Sequence, residues 1–93
     1  RWGGDEFVIL LPGTTLESSL IVANRLQKAF QTIQLPDHSF LTASIGCTTA
    51  SSNESEQIFY KRMDDALYLA KEGGRNRIIL LDAEHQVKEV TGD

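Results

Sequence analysis

The segment that decides the fold is RWGGDEFVILLPG, residues 1–13. Its apolar run, residues 7–11, is continuous, and a run of this length indicates a strand buried on both faces of a sheet. The proline and glycine at residues 12–13 predict a turn after that strand. The two glycines at residues 3–4 predict the turn that enters it, with residues 1–2 ending a preceding antiparallel strand. The segment therefore predicts a β-hairpin whose second strand is central in a sheet.

The residues after this hairpin predict a helix. Thr14 and Glu17 have the spacing of a capping box, in which side chains satisfy free backbone donors at a helix start. Apolar residues then recur at steps of three and four, which places them on one helix face. Pro36 prevents the helix from continuing far. The residues of the predicted face are Leu16, Leu20, Ala23, Leu26, Phe30 and Ile33.

A strand and a second helix are predicted next. Residues 41–50 alternate between apolar and small polar side chains, the pattern of a strand. In the polar loop that follows, Asn53 and Glu56 have the spacing of a helix cap. The two glycines at residues 73–74 predict the end of that helix. Its predicted apolar face is Phe59, Met63, Ala66, Leu67 and Ala70.

The end of the chain predicts one more strand and a tail. Residues 78–81 form a short apolar run, which indicates a buried strand. Residues 82–93 are mostly polar and acidic, and we expect them to fray. The alternation of strands and helices predicts the α/β class, with helices packed on a mixed sheet. We expect one domain whose core spans residues 1–81.

Length and composition set further bounds. The 93 residues suit one small domain, and 41% hydrophobic with 24% charged residues is the composition of a globular protein. No apolar run approaches the ~20 residues that a membrane span needs, and no signal peptide is visible. The single cysteine, Cys47, excludes an intrachain disulfide framework and is expected to pack in the core. The formal net charge of −4 argues against a general nucleic-acid binder.

The first polar cluster is Gly3-Gly4-Asp5-Glu6. Two glycines allow a ligand such as a nucleotide phosphate to approach the backbone closely. Mg²⁺ prefers oxygen ligands and usually takes one or two carboxylates together with substrate phosphates. In an extended backbone Asp5 and Glu6 point to opposite sides, so they are not expected to serve one site equally. A polar hairpin tip explains the same residues, and the spacing leaves both interpretations open.

The second polar cluster lies around Lys71 and Arg75. Five of the nine basic residues fall within residues 61–77, although the chain is acidic overall. Cations at a helix C-terminus complement the helix dipole, which is one explanation. A phosphate clamp is the other, with Lys71 as a point charge and Arg75 as a planar fork. Elsewhere, His38 and His85 have no evident partner, and Asp64 and Asp65 are expected to be solvated or structural.

Three stretches together resemble one family. RWGGDEF, residues 1–7, is similar to the signature of the GGDEF family of diguanylate cyclases. DDALYLAK at residues 64–71, followed by GRNR at 74–77, resembles the C-terminal motif of that family, and residues 44–46 resemble its intervening strand. The three matches occur in the family's order and cover nearly all of the chain to about Leu81.

The resemblance implies a fold and an activity. The expected fold is a GGDEF domain, similar to nucleotidyl cyclase and polymerase palm domains, with its N-terminal part missing. The expected activity joins two GTP molecules into cyclic di-GMP and releases pyrophosphate, in a homodimer of two such domains. The alternative is a catalytically silent GGDEF module that binds GTP or cyclic di-GMP for regulation. For either function the domain is expected in the cytoplasm, after a sensory or regulatory domain in the sequence. Membrane anchoring of the parent protein is compatible with this location.

The resemblance also assigns residues. It implies that Asp5 is the catalytic, metal-binding carboxylate for Mg²⁺ or Mn²⁺, and that Glu6 belongs to the same catalytic site, where it either supports the site or binds the metal indirectly. Gly3 and Gly4 would pass close to the substrate, and Lys71 and Arg75 would contact its triphosphate.

One further assignment and one consequence follow from the resemblance. Arg25 matches an arginine of the family's inhibitory product site, although a solvated helix arginine explains it equally well. The family's second metal-binding aspartate and its guanine-reading residues precede the hairpin. We therefore expect the 93 residues alone to be inactive.

Overall fold

The computed structural model describes residues 6–92, which form two helices and three strands. Their order is α1 (Leu16–Phe30), β1 (Ile45–Thr48), α2 (Glu56–Glu72), β2 (Arg77–Leu81) and β3 (Val87–Gly92). Helices and strands alternate until the final hairpin, which confirms the prediction of the α/β class. Neither helix is long and apolar enough to cross a membrane in the described part of the chain.

Helix α1 begins one residue later than the sequence pattern predicts. The N-cap is Thr15, whose extended backbone (φ −73°, ψ 163°) lets its side chain accept a hydrogen bond from the amide of Ser18 at 3.1 Å. The Thr14 hydroxyl donates instead to the carbonyl of Pro12. The predicted Thr14 cap is therefore wrong, because two adjacent threonines offer the same chemistry and only backbone geometry selects between them. The helix ends at Phe30, so Ile33 lies beyond it and is exposed.

Helix α2 also has a cap that differs from the prediction. Ser55 is the N-cap, and its hydroxyl accepts from the amide of Ile58 at 3.2 Å. The predicted pair of Asn53 and Glu56 is therefore wrong. The predicted stop is confirmed at Gly73, which is the C-cap and donates its amide to the carbonyl of Leu69 at 2.9 Å.

The sheet has the order β1-β2-β3, with β1 parallel to β2 and β2 antiparallel to β3. Strand β2 is central, and its residues Ile78, Ile79, Leu80 and Leu81 are all buried, as predicted. The core forms where Leu16 and Ala23 of α1 pack on Ile78 and Leu80. Cys47 of β1 packs against the same cluster, which confirms its predicted packing role.

Helix α2 lies directly on β1. A Cβ built on Gly46 would come within 2.4 Å of the Leu67 amide nitrogen and 2.8 Å of the Ala66 Cβ. Real Cβ atoms do not approach other atoms so closely, so only glycine fits between this strand and this helix. The contact fixes the position of α2, and therefore of both of its ends, relative to the sheet.

The expected fraying of the tail is wrong for residues 87–92. They form β3, which pairs with β2 along its length. Asp82 builds the connecting turn, because its Oδ1 accepts from the amides of Glu84 at 3.0 Å and Gln86 at 2.8 Å. Pairing with β3 satisfies backbone groups of the central strand that would otherwise lack partners. Residues 87–92 therefore form a strand although their composition is polar, because β2 gains hydrogen-bond partners from them.

The predicted central strand at residues 7–11 is also wrong. In the structure these residues have no regular secondary structure, and Phe7, Ile9 and Leu10 are 73%, 59% and 68% exposed. A buried strand needs neighbours on both edges, and the three strands at 45–48, 77–81 and 87–92 do not pair with it. The strand predicted at residues 41–50 is also shorter in the structure. Only residues 45–48 pair with β2, and they form β1. The predicted hairpin turn and first strand lie outside the described residues.

Candidate functional site

The C-terminal end of α2 is where the two sequence clusters meet. Lys71 lies in the last turn of the helix, and its Nζ donates to Oε2 of Glu6 at 2.9 Å. The two side chains are separated by 65 positions in the sequence and are each about one-third exposed, at 33% and 34%. The fold therefore places Glu6, the residue after Asp5, in contact with one of the two cations predicted to bind phosphate.

The turn after α2 places the second cation at the surface. Arg75 is exposed and has a left-handed backbone (φ 59°), with its amide donating to the carbonyl of Ala70 at 3.1 Å. The side chain of Arg77 folds back along the turn, and its Nε donates to the carbonyl of Arg75 at 3.3 Å. A Cβ on Gly74 would come within 2.7 Å of this Arg77 guanidinium. The turn is thus closely packed, while the Arg75 side chain remains open to solvent.

The other predicted site residues are less informative. Gly3, Gly4 and Asp5 lie outside the described residues. Arg25 lies on α1 and is exposed, so its position is compatible with the solvated arginine and with the inhibitory product site alike.

The described residues do not form a metal site by themselves. Across residues 6–92, histidine, cysteine, aspartate and glutamate nowhere gather in a group of three that is able to hold a metal ion. The Glu6 carboxylate is engaged by Lys71. Asp5, the predicted metal-binding carboxylate, lies outside the described residues.

The sequence analysis missed a buried ion pair between the N-terminal half of α2 and the loop before it. Arg62 is 2% exposed, and its guanidinium binds the Glu54 carboxylate through Nη1 at 2.8 Å and Nη2 at 2.6 Å. Its Nε donates to the Thr48 hydroxyl at 2.8 Å and its Nη2 to the Thr49 carbonyl at 2.6 Å. These bonds from Arg62 hold the pKa of the Glu54 carboxyl below its usual range.

The sequence does contain a signal for this buried arginine. Arg62 lies three residues after Phe59 and four before Ala66, both of which belong to the predicted apolar face. A charged residue within an apolar face needs a buried partner. The pair fastens the loop before α2 to the end of β1 and is not available to a ligand.

His85 has a partner, contrary to the expectation from sequence. Its Nε2 lies 2.8 Å from Oδ2 of Asp65, which also receives the Lys61 ammonium at 3.0 Å on Oδ1. The hydrogen bond from Lys61, supported by that from His85, lowers the pKa of Asp65. The β2–β3 turn carries His85 back to α2, a contact between residues 20 positions apart that composition does not indicate. Asp65 is confirmed as structural.

The fold and this site define an α/β domain that presents a lysine and an arginine at one helix end, an arrangement suited to phosphate groups. The model of the GGDEF family, described as diguanylate cyclase, GGDEF domain, matches residues 1–77. Because this match covers most of the chain, the chain belongs to the GGDEF family.

Three curated relatives illustrate the similarity. Diguanylate cyclase DgcM of Escherichia coli K12 is 43% identical over 79 residues, which cover 85% of this chain and 19% of DgcM. Diguanylate cyclase DgcP of Pseudomonas aeruginosa is 40% identical, over 84% of this chain and 12% of DgcP. Response regulator PleD of Caulobacter vibrioides is 33% identical, over 85% of this chain and 19% of PleD. The chain thus spans less than a fifth of the length of these relatives, and no solved structure is significantly similar to it.

Proposed function

We propose that these residues form part of a diguanylate cyclase domain that, in the full-length protein, condenses two GTP molecules into cyclic di-GMP and pyrophosphate. In each of the two condensation steps the 3′-hydroxyl oxygen of one GTP forms a bond to the α-phosphorus of the other, the hydroxyl proton is released to solvent, and the bond from that phosphorus to the leaving pyrophosphate breaks. Membership of the GGDEF family and relatives named as diguanylate cyclases support this assignment.

One observation carries the proposal. The ion pair of Glu6 with Lys71 joins the signature at residues 1–7 to the helix end that presents Lys71 and Arg75. Two cations at one helix end would stabilise a triphosphate and the charge that develops on the leaving pyrophosphate. Binding the two reacting nucleotides face to face in a homodimer would supply proximity and orientation.

Glu6 has a supporting role in this proposal. It neutralises Lys71 when no nucleotide is bound, and the ammonium must exchange the carboxylate for a phosphate oxygen when GTP enters. Such an exchange is inexpensive because both side chains are partly in water, where ion pairs contribute little.

Asp5 would be the metal-binding carboxylate, with Mg²⁺ or Mn²⁺ as the ion. A bound divalent cation would neutralise phosphate charge and polarise a phosphate oxygen. The proposal also places the domain in the cytoplasm, where GTP is available, under the control of a sensory or regulatory domain elsewhere in the protein.

The test measures cyclic di-GMP formed from GTP and Mg²⁺ by the full-length protein. We expect Asp5→Asn to abolish product. We expect Lys71→Met to lower the affinity for GTP, measured by calorimetry, by roughly ten- to a hundredfold, since a charged hydrogen bond contributes about 1.5–3 kcal/mol. Lys28→Met is the matched control, because Lys28 lies in the last turn of α1 rather than of α2.

The outcomes distinguish an active diguanylate cyclase from a catalytically silent regulatory module. Product that persists in Asp5→Asn would remove the catalytic role of that carboxylate. A folded full-length protein that binds GTP or cyclic di-GMP and forms no product would be a silent regulatory module instead. The 93 residues by themselves are expected to form no product, and turnover by them would contradict that expectation.

A further inference from the structure

A set of polar contacts lies directly behind the turn that presents Arg75. The side-chain oxygen of Asn76 accepts hydrogen bonds from the amide of Gln27 at 3.4 Å and from that of Gln31 at 3.3 Å. Gln27 lies in the last turns of α1 and Gln31 is the C-cap residue of that helix, so the two side chains, four residues apart, project from the same side. They are 49 and 45 positions away from Asn76 in the sequence. Helix α1 is therefore joined to the turn after α2 by these side chains.

Of these three side chains, Gln27 is almost fully buried, and Gln31 and Asn76 are half-buried. Gln27 is only 7% exposed, and its amide also reaches the carbonyl of Ala43 at 3.5 Å. A buried amide without partners would be costly, so the position of Gln27 depends on these acceptors. Asn76 is also held from its other side, because its backbone amide donates to the Ser44 hydroxyl at 3.2 Å.

The backbone of the turn needs such support. Arg75 and Asn76 both have left-handed conformations, with φ of 59° and 47°. Non-glycine residues seldom adopt this region, although asparagine tolerates it better than most. Two such residues in succession persist when their surroundings hold them in place. The contacts of Asn76 with α1 and Ser44 provide that restraint, and Arg75 is the residue immediately before it.

We propose that Gln27, Gln31 and Asn76 are positioning residues that hold the turn in the conformation presenting the Arg75 guanidinium to the triphosphate of GTP. They act through the backbone and do not contact the nucleotide. An arginine fork binds phosphate well only in a defined orientation, so loosening the turn weakens the contact. This inference rests on the proposed function, since it takes Arg75 to be a phosphate ligand.

Two variants of the full-length protein test the link. Gln31→Met keeps a side chain of similar length and removes the donor to Asn76. Asn76→Gly keeps access to the left-handed backbone and removes the acceptor. From the usual weight of such hydrogen bonds we expect GTP affinity, measured by calorimetry, to fall about threefold in the first variant and about tenfold in the second. Affinity for GMP should stay unchanged, because GMP lacks the β- and γ-phosphates.

A double-mutant cycle adds a readout that general destabilisation would not reproduce. If Gln31 acts through Asn76, the double variant binds GTP no more weakly than Asn76→Gly alone. Gln34→Met is the matched control, because the Gln34 amide donates to the carbonyl of His38 at 3.1 Å instead of to Asn76. It should bind GTP as the wild type does.

Each result decides the inference. Equal GTP affinity in the wild type, Gln31→Met and Asn76→Gly would overturn it and leave the proposed function intact. An equal loss of affinity for GTP and GMP would also overturn it, since the defect would not then concern the triphosphate. A wild-type protein that neither binds GTP nor forms cyclic di-GMP would refute the proposed function, and the inference would fall with it.

Discussion

Two ion pairs of α2, one made by Arg62 in its N-terminal half and one by Lys71 in its last turn, have the same charges and differ in their surroundings. The pair of Arg62 with Glu54 is 2% and 11% exposed and has two charged hydrogen bonds, with further bonds from the guanidinium to β1 and the residue after it. The pair of Lys71 with Glu6 is 33% and 34% exposed and has one contact at 2.9 Å. Burial and the number of hydrogen bonds therefore distinguish a permanent structural link from a cation that is able to exchange its partner.

The physical reason lies in what remains when one partner leaves. Removing Arg62 would leave a carboxylate, a hydroxyl and a carbonyl without their donor in a largely dry site, which is costly. Moving Lys71 away from Glu6 leaves both groups in contact with water, which costs little. The same type of ion pair thus anchors the helix through Arg62 and leaves Lys71 able to exchange its partner.

The largest loss of stability is expected from a substitution at Gly46, where β1 contacts α2. In Gly46→Ala the added Cβ would lie 2.4 Å from the Leu67 amide nitrogen, so the backbone of the helix or of the strand must shift. We expect the free energy of unfolding to fall by about 3 kcal/mol or more, measured by urea unfolding. Moving α2 away from β1 would also separate Arg62 from Thr48, so the buried ion pair would lose its hydrogen bond to the strand.

Gly13→Ala is the control for this substitution. Gly13 has a positive φ of 67° with nothing within 4 Å of the Cβ position. Only backbone strain is then added, at about 1–2 kcal/mol. A loss at Gly46 no larger than that at Gly13 would show that α2 does not lie as closely on β1 as described.

The next effect compares the two cations directly. Arg62→Met should lower the free energy of unfolding by about 3 kcal/mol, because the largely buried Glu54 carboxylate loses its charged partner and keeps only the Ser51 amide as a donor. Lys71→Met should change it by less than about 0.5 kcal/mol, as exposed pairs usually do. Urea unfolding of both variants measures the difference. Equal losses would mean that burial does not separate the two pairs.

Acid should affect the buried pair in a defined direction. The folded-state pKa of Glu54 is lowered by its hydrogen bonds from Arg62, so the charged form is favoured by folding. The resulting stabilisation is complete above the ordinary carboxyl pKa and is lost as the pH falls through the lowered value. Between about pH 6 and about pH 3, the wild type should lose more stability than Glu54→Gln. Identical pH profiles would exclude Glu54 as a source of acid sensitivity.

The smallest effect concerns the exposed pair. Glu6→Gln removes the charge that neutralises Lys71, and under the proposed function we expect GTP to bind about threefold more tightly, by roughly 0.6 kcal/mol of screened charge interaction. Calorimetry with GTP measures it, and Glu17→Gln at the exposed start of α1 is the control. Weaker binding in Glu6→Gln would instead mean that Glu6 holds Lys71 in its binding position.

Local patterns in the sequence were sufficient for both helices and for the central strand. The three- and four-residue periodicity predicted α1 and α2, and the short apolar run predicted β2, because these signals arise within a few neighbouring residues. The caps were displaced by one or two residues, to Thr15 and Ser55, because several nearby polar side chains share the same capping chemistry. The motifs also identified Lys71 and Arg75 as a cluster.

Local sequence patterns did not predict the strand pairing or the long-range side-chain contacts. Residues 7–11 have the strongest apolar pattern and form no strand, while the polar residues 87–92 do form one, because pairing depends on which backbone lies alongside. The partners of Glu6, His85 and Asn76 are likewise 65, 20 and 45 or 49 positions away. The family and the helical segments thus follow from residue order alone. The choice of strands, the buried arginine and the restraint on Arg75 are decided by the tertiary structure, because burial and hydrogen bonding are properties of neighbours in space.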